Sequence, residues 1–337
     1  MAMAEGVARW ANPSSPHAEG RAARAALEEA RAAIASAYGW RGETLLTSGA
    51  SESLAIGLGR AAADRRLASA VEHDAVFRAA YDIAIVPVGK DGLVDAEALG
   101  IALAGEGRAV VAIQWANSET GVRQSIAALA AQIHAAGHLL LVDAAQMPAG
   151  ADRAVADHAD MVALSAHKRG GPVGVGALLV RDLAMLDPTG GQERGYRPGT
   201  ENLPGALGFA AALAQPEDVA AMQALRARLD AAIAAAGGEV VAGSPRHAAI
   251  GSYRMPGLAA ATQLIRFDMA GIAVSAGSAC SSGSMKPSHV LDAMGWSIEA
   301  SREVVRVSFG RTTGEADIDR FIAEWRSIAR SARAYAA

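Results

Sequence analysis

One segment decides the fold: Met161-Val162-Ala163-Leu164-Ser165-Ala166-His167-Lys168. Its first four residues form a short apolar run, which is typical of a buried strand, and polar residues follow at once. A lysine at the carboxyl end of a buried parallel strand lies where α/β sheets bind ligands. In a partly dry pocket its amine loses its proton easily and becomes a nucleophile toward a carbonyl group. Taken by itself, the segment still favours a surface lysine in a turn.

Strand and helix patterns alternate on both sides of this segment. Helical spacing of apolar residues is interrupted by short apolar runs that are typical of buried strands. The helical stretches are residues 19–38, 51–63 and 125–136, and the strand-like runs are residues 109–114, 139–142 and 176–180. Because the two patterns alternate, we predict an α/β fold with a mainly parallel central sheet and helices on both of its faces.

The pattern changes after Arg181. A glycine-rich loop and alanine-rich helices come first, and two strand-like runs and a closing helix follow. These features occupy, in order, residues 190–199, 201–236, 273–275, 304–308 and 315 onward. We therefore expect a large domain over residues 1–210 and a smaller α+β domain over residues 211–337.

Composition limits the class of protein. The 337 residues are 51% hydrophobic, which is enough for a sizeable core. The net charge is −4 and no basic block occurs, which argues against a nucleic-acid partner. The longest apolar stretches are too short to cross a bilayer, and residues 1–10 lack the pattern of a signal peptide. The single cysteine excludes an intramolecular disulfide, so we predict a soluble cytoplasmic protein without a membrane contact.

An aspartate follows another predicted strand, in Val142-Asp143-Ala144-Ala145-Gln146. An aspartate at this place can pair with a protonated ring nitrogen, which is how a pyridoxal ring becomes an electron sink. It can equally cap a helix. Because Lys168 lies at the end of a strand a little further along the chain, we favour the cofactor interpretation.

Two turns rich in small residues differ in what they predict. Residues 48–53, Ser-Gly-Ala-Ser-Glu-Ser, lead into a predicted helix, whose free backbone N–H groups and dipole suit a phosphate. Such turns also cap many helices that bind no ligand. Residues 171–176, Gly-Pro-Val-Gly-Val-Gly, precede a strand rather than a helix, which argues against a dinucleotide site.

The only cysteine, Cys280, lies in the small polar segment Gly277-Ser278-Ala279-Cys280-Ser281-Ser282-Gly283. We expect it to be accessible there, and accessibility is a precondition for a thiolate nucleophile. The segment alone supports an incidental loop cysteine equally well.

Together these segments resemble the cysteine desulfurases, which are pyridoxal-phosphate enzymes of aminotransferase class V with the fold-type-I transferase architecture. The similarity is to the branch whose catalytic loop contains Gly-Ser-Ala-Cys. It covers nearly the whole chain, in the family's order, from about residue 12 onward. Supporting segments are Asn12-Pro13-Ser14-Ser15-Pro16-His17, Glu72-His73, Asn117-Ser118-Glu119-Thr120-Gly121, residues 194–202 and residues 306–311.

The resemblance implies roles for residues around the cofactor ring. Lys168 would carry pyridoxal phosphate and move protons on the substrate. Asp143 would hold the proton of the ring nitrogen, and Gln146 would bond the ring oxygen. His73 would stack on the ring with an acid or base role. The family's ring-contacting asparagine falls at Ser118, with Asn117 one place earlier.

It also implies phosphate, substrate and sulfur contacts. Arg306 matches the arginine that grips the carboxylate of the L-cysteine substrate, a task suited to a planar fork of donors. Cys280 would take the sulfur as a persulfide and pass it to a sulfur-acceptor protein. The phosphate positions are Ala50, Ser51, Ser165, His167 and Thr200. Thr200 matches a threonine that reaches the phosphate of the partner subunit, which implies a homodimer.

The sequence leaves other functions open besides cysteine desulfuration. A selenocysteine lyase shares the same residues, whereas an aminotransferase has no need of Cys280. A non-catalytic scaffold for sulfur transfer is suggested because the family's opening strand is absent before Met1-Ala2-Met3-Ala4. Retention of Lys168, Asp143 and Arg306 argues against it. We expect no metal site, since the spacing of His134 and His138 comes with no third ligand.

Overall fold

A computed structural model describes residues 1–243, 245–276 and 287–336, with side chains as far as residue 332. The helices are α1 (Ala2–Ala8), α2 (Ala18–Ala37), α3 (Ala50–Gly59), α4 (Asp74–Phe77), α5 (Ala96–Leu103), α6 (Ile126–Ala135), α7 (Arg153–His158), α8 (Leu203–Leu213), α9 (Val219–Ala235), α10 (Ala260–Met269), α11 (His289–Ala293), α12 (Ile298–Ser301) and α13 (Glu315–Ala336). The strands are β1 (Glu43–Thr47), β2 (Arg65–Ser69), β3 (Ile83–Val86), β4 (Ala109–Gln114), β5 (Leu139–Asp143), β6 (Met161–Ser165), β7 (Gly176–Val180), β8 (Glu239–Val240), β9 (Ile250–Arg254), β10 (Ser275–Ala276) and β11 (Val304–Ser308).

The first compact unit contains the large sheet. It comprises Met1–Val86, Asp95–Trp115 and Ser125–Pro216. Within the described residues this sheet has seven strands, in the order β1-β7-β6-β5-β4-β2-β3. Neighbouring strands from β3 to β6 pair in parallel, and β7 is antiparallel to both β6 and β1. The prediction of a mainly parallel sheet is therefore confirmed.

The central strands are covered on both faces. Every residue of β4, β5, β6 and β7 is buried. Such strands have continuous apolar sequences instead of an alternating pattern, which is why short apolar runs predicted them. Leu45, Leu141, Ala163 and Leu178 share one core cluster with residues of α3.

Parallel pairing determines where the predicted site residues lie. Strands β1, β2, β4, β5 and β6 all run in one direction, so their carboxyl ends meet at one edge of the sheet. Ligands of open α/β sheets bind at this edge. Four predicted features lie at these carboxyl ends: residues 48–53, called the phosphate turn below, follow β1, His73 follows β2, Asp143 ends β5 and Lys168 follows β6.

The second compact unit comprises Pro87–Val94, Ala116–Gln124 and Glu217–Ala337. Its antiparallel sheet, in the order β10-β11-β9-β8, packs with α9, α10 and α13. The core of this unit is aromatic, with Tyr253, Phe267, Phe321 and Trp325 in contact.

Most predicted elements are confirmed with small shifts of their ends. The strand predictions at residues 109–114, 176–180 and 304–308 coincide with β4, β7 and β11. Helix α3 ends at Gly59 rather than near residue 63, because Ala61 forms an antiparallel β-bridge with Leu186 and cannot continue the helix. The alanine-rich stretch is two helices, α8 and α9, and Pro216 lies in the interruption between them. Strand pairing near residue 275 involves Ser275–Ala276 instead of residues 273–275.

Candidate active site

The phosphate turn joins β1 to α3. Gly49 has φ 150° and ψ 178°, a conformation that only glycine adopts readily, and α3 begins at Ala50. Among the described residues, no side chain caps this end of α3, and a Cβ on Gly49 would meet nothing within 4 Å. Ser51 is exposed beside it. The first N–H groups of α3 therefore have no side-chain cap among the described residues, and an anion can bind such groups.

The position of this turn depends on a close backbone contact. A Cβ on Gly176, the first residue of β7, would lie 2.6 Å from the Cα of Gly49 and 2.4 Å from the carbonyl oxygen of Leu164. Only a residue without a side chain fits there. The phosphate turn is thereby placed directly on the sheet, next to the end of β6.

Lys168 lies in a single 3-10 turn, His167–Arg169, that follows β6. The turn ends at Gly170, whose φ of 75° is left-handed. Lys168 is half-buried, and its positive charge helps to lower the pKa of His167, after burial as the main cause. Ser165 Oγ and His167 Nδ1 are hydrogen-bonded at 2.9 Å. Two predicted phosphate ligands and the predicted cofactor lysine are thus held together by one short turn.

Asp143 ends β5 and is buried. Its Oδ1 accepts a hydrogen bond from the Ala145 amide at 2.9 Å. Burial raises the pKa of Asp143 above its ordinary value, while that amide, Lys168 and His73 act in the opposite direction. A protonated ring nitrogen beside this carboxylate would offset the cost of burying its charge. Gln146, three residues further on, is half-buried.

His73 is the N-cap of α4, and its Nδ1 accepts a hydrogen bond from the Ala75 amide at 3.1 Å. In the neutral ring the proton therefore lies on Nε2. Burial lowers the pKa of His73, and Lys168 lowers it further, while Asp143 raises it. The net shift is downward, so His73 is neutral at pH 7 and presents Nε2–H as a donor. Lys168, Asp143 and His73 are close enough for their charges to affect one another.

The remaining predicted residues are distributed between the two units. Thr200 is exposed in the first unit, between Gly199 and α8. In the second unit, Arg306 on β11 donates to the carbonyl oxygen of Ser118 at 3.0 Å and to Ser275 Oγ at 3.2 Å. Asn117 is buried, and its Oδ1 accepts from the amides of residues 119 and 120 within its own turn. Cys280 lies outside the described residues.

Sequence reasoning missed several residues that support the site. Glu72 and Gln114 are buried and hydrogen-bonded to each other, and Glu52 bonds the phosphate turn. The signal for Glu72 was its place beside His73. In the described part of the chain, no group of three or more His, Cys, Asp or Glu could hold a metal ion.

Comparison with known proteins identifies the family. The model of the family described as aminotransferase class-V matches residues 7–321. The cysteine desulfurase of Cereibacter sphaeroides is 38% identical over 348 residues, which cover 93% of this chain and 87% of that protein. The chain belongs to the cysteine desulfurases of aminotransferase class V.

Solved structures of similar proteins agree with this membership of the cysteine desulfurases. A NifS-like protein from Rickettsia africae superposes with a TM-score of 0.85 at 28% identity, covering 97% of this chain and 94% of that one. A structure of SspA in complex with cysteine superposes with a TM-score of 0.77 at 28% identity, covering 91% of this chain and 94% of that one. The central sheet is therefore that of a fold-type-I transferase, as predicted.

A cysteine desulfurase of this class is a pyridoxal-phosphate-dependent enzyme, and the residues of the first unit fit that cofactor. Lys168 offers an amine, and Asp143 offers a buried carboxylate for a ring cation. The open start of α3 offers amides for a phosphate, beside Ser165. The arrangement matches the charge pattern of the cofactor, with a cationic ring nitrogen at one end and an anion at the other. In the described residues, no helix is long and apolar enough to cross a membrane.

Proposed function

We propose that this protein converts L-cysteine to L-alanine and transfers the sulfur to Cys280 as a persulfide. The observation that carries the proposal is the meeting of Lys168, Asp143 and His73 at the carboxyl edge of the sheet, beside the open start of α3. The curated relatives named cysteine desulfurase support the choice of substrate. They do not favour a selenocysteine lyase, an aminotransferase or a non-catalytic scaffold.

The residues of the first unit would bind and orient the cofactor. When bound, pyridoxal phosphate supplies an electron sink for the bond that breaks at the substrate. Lys168 would hold the cofactor through its aldehyde group and would move a proton at the substrate Cα. Asp143 would keep the proton on the ring nitrogen, and Gln146 would donate a hydrogen bond to the ring oxygen. His73 would stack on the ring, and its Nε2–H could donate a proton there, because Nδ1 accepts from the Ala75 amide.

Phosphate and substrate contacts complete the proposal. Ala50, Ser51, Ser165 and His167 would bind the phosphate, joined by Thr200 of the partner subunit in a homodimer. Arg306 would bind the substrate carboxylate. Its guanidinium is held by the Ser118 carbonyl and by Ser275, so its orientation is fixed before the substrate arrives. Ser118 or Asn117 would contact the ring.

Sulfur transfer would use the single cysteine. The Cys280 thiolate attacks the substrate sulfur, the substrate carbon–sulfur bond breaks, and the sulfur remains on Cys280. The substrate carbon keeps the electron pair of that bond and gains a proton, which gives alanine. Cys280 then passes the sulfur to an acceptor protein. We place these steps in the cytoplasm, with a cofactor-binding domain over residues 1–210 and a smaller domain over residues 211–337.

One experiment tests this function. Purified protein loaded with pyridoxal phosphate is given L-cysteine, alanine is measured, and the mass of the Cys280 peptide is determined. We expect alanine together with one added sulfur on that peptide. Alanine from L-selenocysteine but not from L-cysteine would support a selenocysteine lyase. No product from either substrate, with the cofactor bound, would support a scaffold.

A further inference from the structure

A buried carboxyl group that the proposed reaction does not use lies next to His73. Glu72 follows the end of β2 by three residues, and its exposed fraction is 0%. Its Oε1 accepts two hydrogen bonds, from Ser69 Oγ at 2.5 Å and from the backbone N–H of Gln114 at 2.9 Å. A buried acidic side chain is rare unless it has a structural or chemical task.

Gln114 connects this carboxyl to the strand of Asp143. It is the last residue of β4 and stands opposite Asp143 in the pairing of β4 with β5. Its side-chain Nε2 also donates to the carbonyl oxygen of Val71 at 2.7 Å. The next residue, Trp115, donates its backbone N–H to the carbonyl oxygen of Asp143 at 2.8 Å. Two hydrogen bonds therefore join the turn before His73 to Gln114, and strand pairing joins Gln114 to Asp143.

We propose that Glu72 is a positioning residue, which holds His73 in register with Asp143 by fastening the turn after β2 to the end of β4. The inference rests on the proposed roles of His73 and Asp143 at the cofactor ring. The ring would meet His73 at its face and Asp143 at its nitrogen, and these two residues follow strands that are not neighbours, because β4 lies between β2 and β5. Glu72 bonds the turn after β2 to Gln114 on β4, and the pairing of Gln114 with Asp143 continues the connection to β5.

The protonation state of Glu72 suits this role. Burial raises the pKa of Glu72 to about 8; the charge of Asp143 raises it as well, whereas the bonds from Ser69 and Gln114 lower it. At neutral pH the carboxyl is thus protonated and uncharged, so it adds no second anion beside Asp143. Lys168 after β6 and the titratable His73 on the same turn both interact electrostatically with Asp143. An isosteric amide should therefore replace the carboxyl without loss.

The test compares three substitutions in the full chain. Glu72→Gln keeps an oxygen for Ser69 and Gln114, Glu72→Ala removes it, and Ser69→Ala removes one donor while leaving the bond to Gln114. The dissociation constant of pyridoxal phosphate is measured by absorbance titration. We expect a change within about threefold for Glu72→Gln and a loss of at least about tenfold for Glu72→Ala, because the Gln114 amide is then buried without its acceptor. Ser69→Ala should fall between them.

A second measurement needs no cofactor. The imidazole of His73 is titrated by NMR in the apoprotein, and its pKa should move in Glu72→Ala but stay near the wild-type value in Glu72→Gln. If Glu72→Ala does not fold, Glu72→Asp, which is one methylene shorter, takes its place with the same expectation.

Three results would overturn the inference. They are unchanged cofactor affinity and His73 titration in the truncated variant, a Glu72→Gln variant as impaired as the truncated one, and a shift of the His73 pKa in Glu72→Gln. A separate outcome concerns the proposed function alone. If no alanine forms from cysteine but the Glu72 variants still differ in cofactor affinity as expected, the reaction is wrong and the positioning role stands.

Discussion

Glu52 joins the phosphate turn to the segment that carries Thr200. Its Oε2 accepts from the backbone N–H of Ser48 at 2.5 Å, and its Oε1 accepts from Arg197 Nε at 3.0 Å. Burial raises the pKa of Glu52, but the Ser48 amide and Arg197 outweigh burial, and the net pKa lies below its ordinary value. The carboxylate is therefore charged at neutral pH, and the contact persists until the pH falls through this lowered pKa.

Replacing Glu52 by Gln should weaken cofactor binding. The amide can still accept from Ser48, but the ion pair with Arg197 is lost, so the segment before Thr200 is held less firmly. For a partly buried pair we expect roughly fivefold weaker binding of pyridoxal phosphate, equivalent to about 1 kcal/mol. Absorbance titration measures the dissociation constant of pyridoxal phosphate in this variant. Asp319→Asn, which breaks an exposed pair with Arg228, is the control and should leave the affinity unchanged.

Replacing Lys168 by Ala should remove the visible absorbance of the lysine-bound cofactor. No other described lysine lies in the turn after β6, so no amine replaces it. The spectrum of the purified, cofactor-loaded variant measures this. Lys90→Ala removes an exposed lysine from the second unit and should leave the band intact. An unchanged spectrum in Lys168→Ala would show that another group carries the cofactor.

Replacing Cys280 by Ala should separate cofactor binding from sulfur transfer. The groups proposed to bind the cofactor lie elsewhere in the chain, so the absorbance should stay as in the wild type. Persulfide formation should be abolished, and alanine release should fall by at least about a hundredfold because the nucleophile is gone. Mass analysis and an alanine assay measure these two losses. Continued alanine release at the wild-type rate would exclude Cys280 as the sulfur acceptor.

The buried Glu72 should make stability depend on pH. Its pKa is raised from 4.5 to about 8 in the folded protein, so the folded state binds one more proton than the unfolded chain between these values. The free energy of unfolding should therefore fall as the pH rises through this range, by about 1.4 kcal/mol per pH unit from this group. Denaturant unfolding of wild type and Glu72→Gln at several pH values measures the difference. Parallel pH dependences for the two proteins would show that Glu72 does not take up this proton.

Replacing Gly176 by Ala should displace the phosphate turn. The new methyl group would lie 2.6 Å from the Cα of Gly49, and backbone atoms cannot move aside cheaply. We expect a loss of about 1–3 kcal/mol in stability together with weaker cofactor binding. Thermal unfolding and absorbance titration measure both. Gly314→Ala is the matched control, because a Cβ there meets nothing within 4 Å among the described atoms.

The sequence predicted the parts of the fold in which local pattern and burial coincide. Strands β5 and β6 are continuous apolar runs followed at once by a polar residue, so both the strands and the positions of Asp143 and Lys168 were predictable. Strand β2 was missed because it begins with Arg65 and Arg66, which are half-buried at the start of the strand. Strand β3 is an edge strand with exposed residues, and its sequence lacks a strong signal.

Long-range contacts explain the rest of what was missed. Pro87–Val94 and Ala116–Gln124 belong to the second unit although they interrupt the sequence of the first. Gln124, for example, donates from its side chain to the carbonyl oxygen of Gly92 at 2.8 Å. No local pattern encodes such a pairing. The burial of Glu72 is similar, since a charged residue next to a histidine carries no sign that Gln114, forty-two residues later, covers it.

The bond between Gln114 and Glu72 has a practical consequence for anyone who redesigns this scaffold. Because β4 ends in Gln114, whose backbone N–H donates to Glu72, the proposed positioning role predicts that even conservative exchanges inside β4, far from any substrate atom, would change the affinity for the cofactor. Libraries that seek new amino-acid substrates should leave β4 constant.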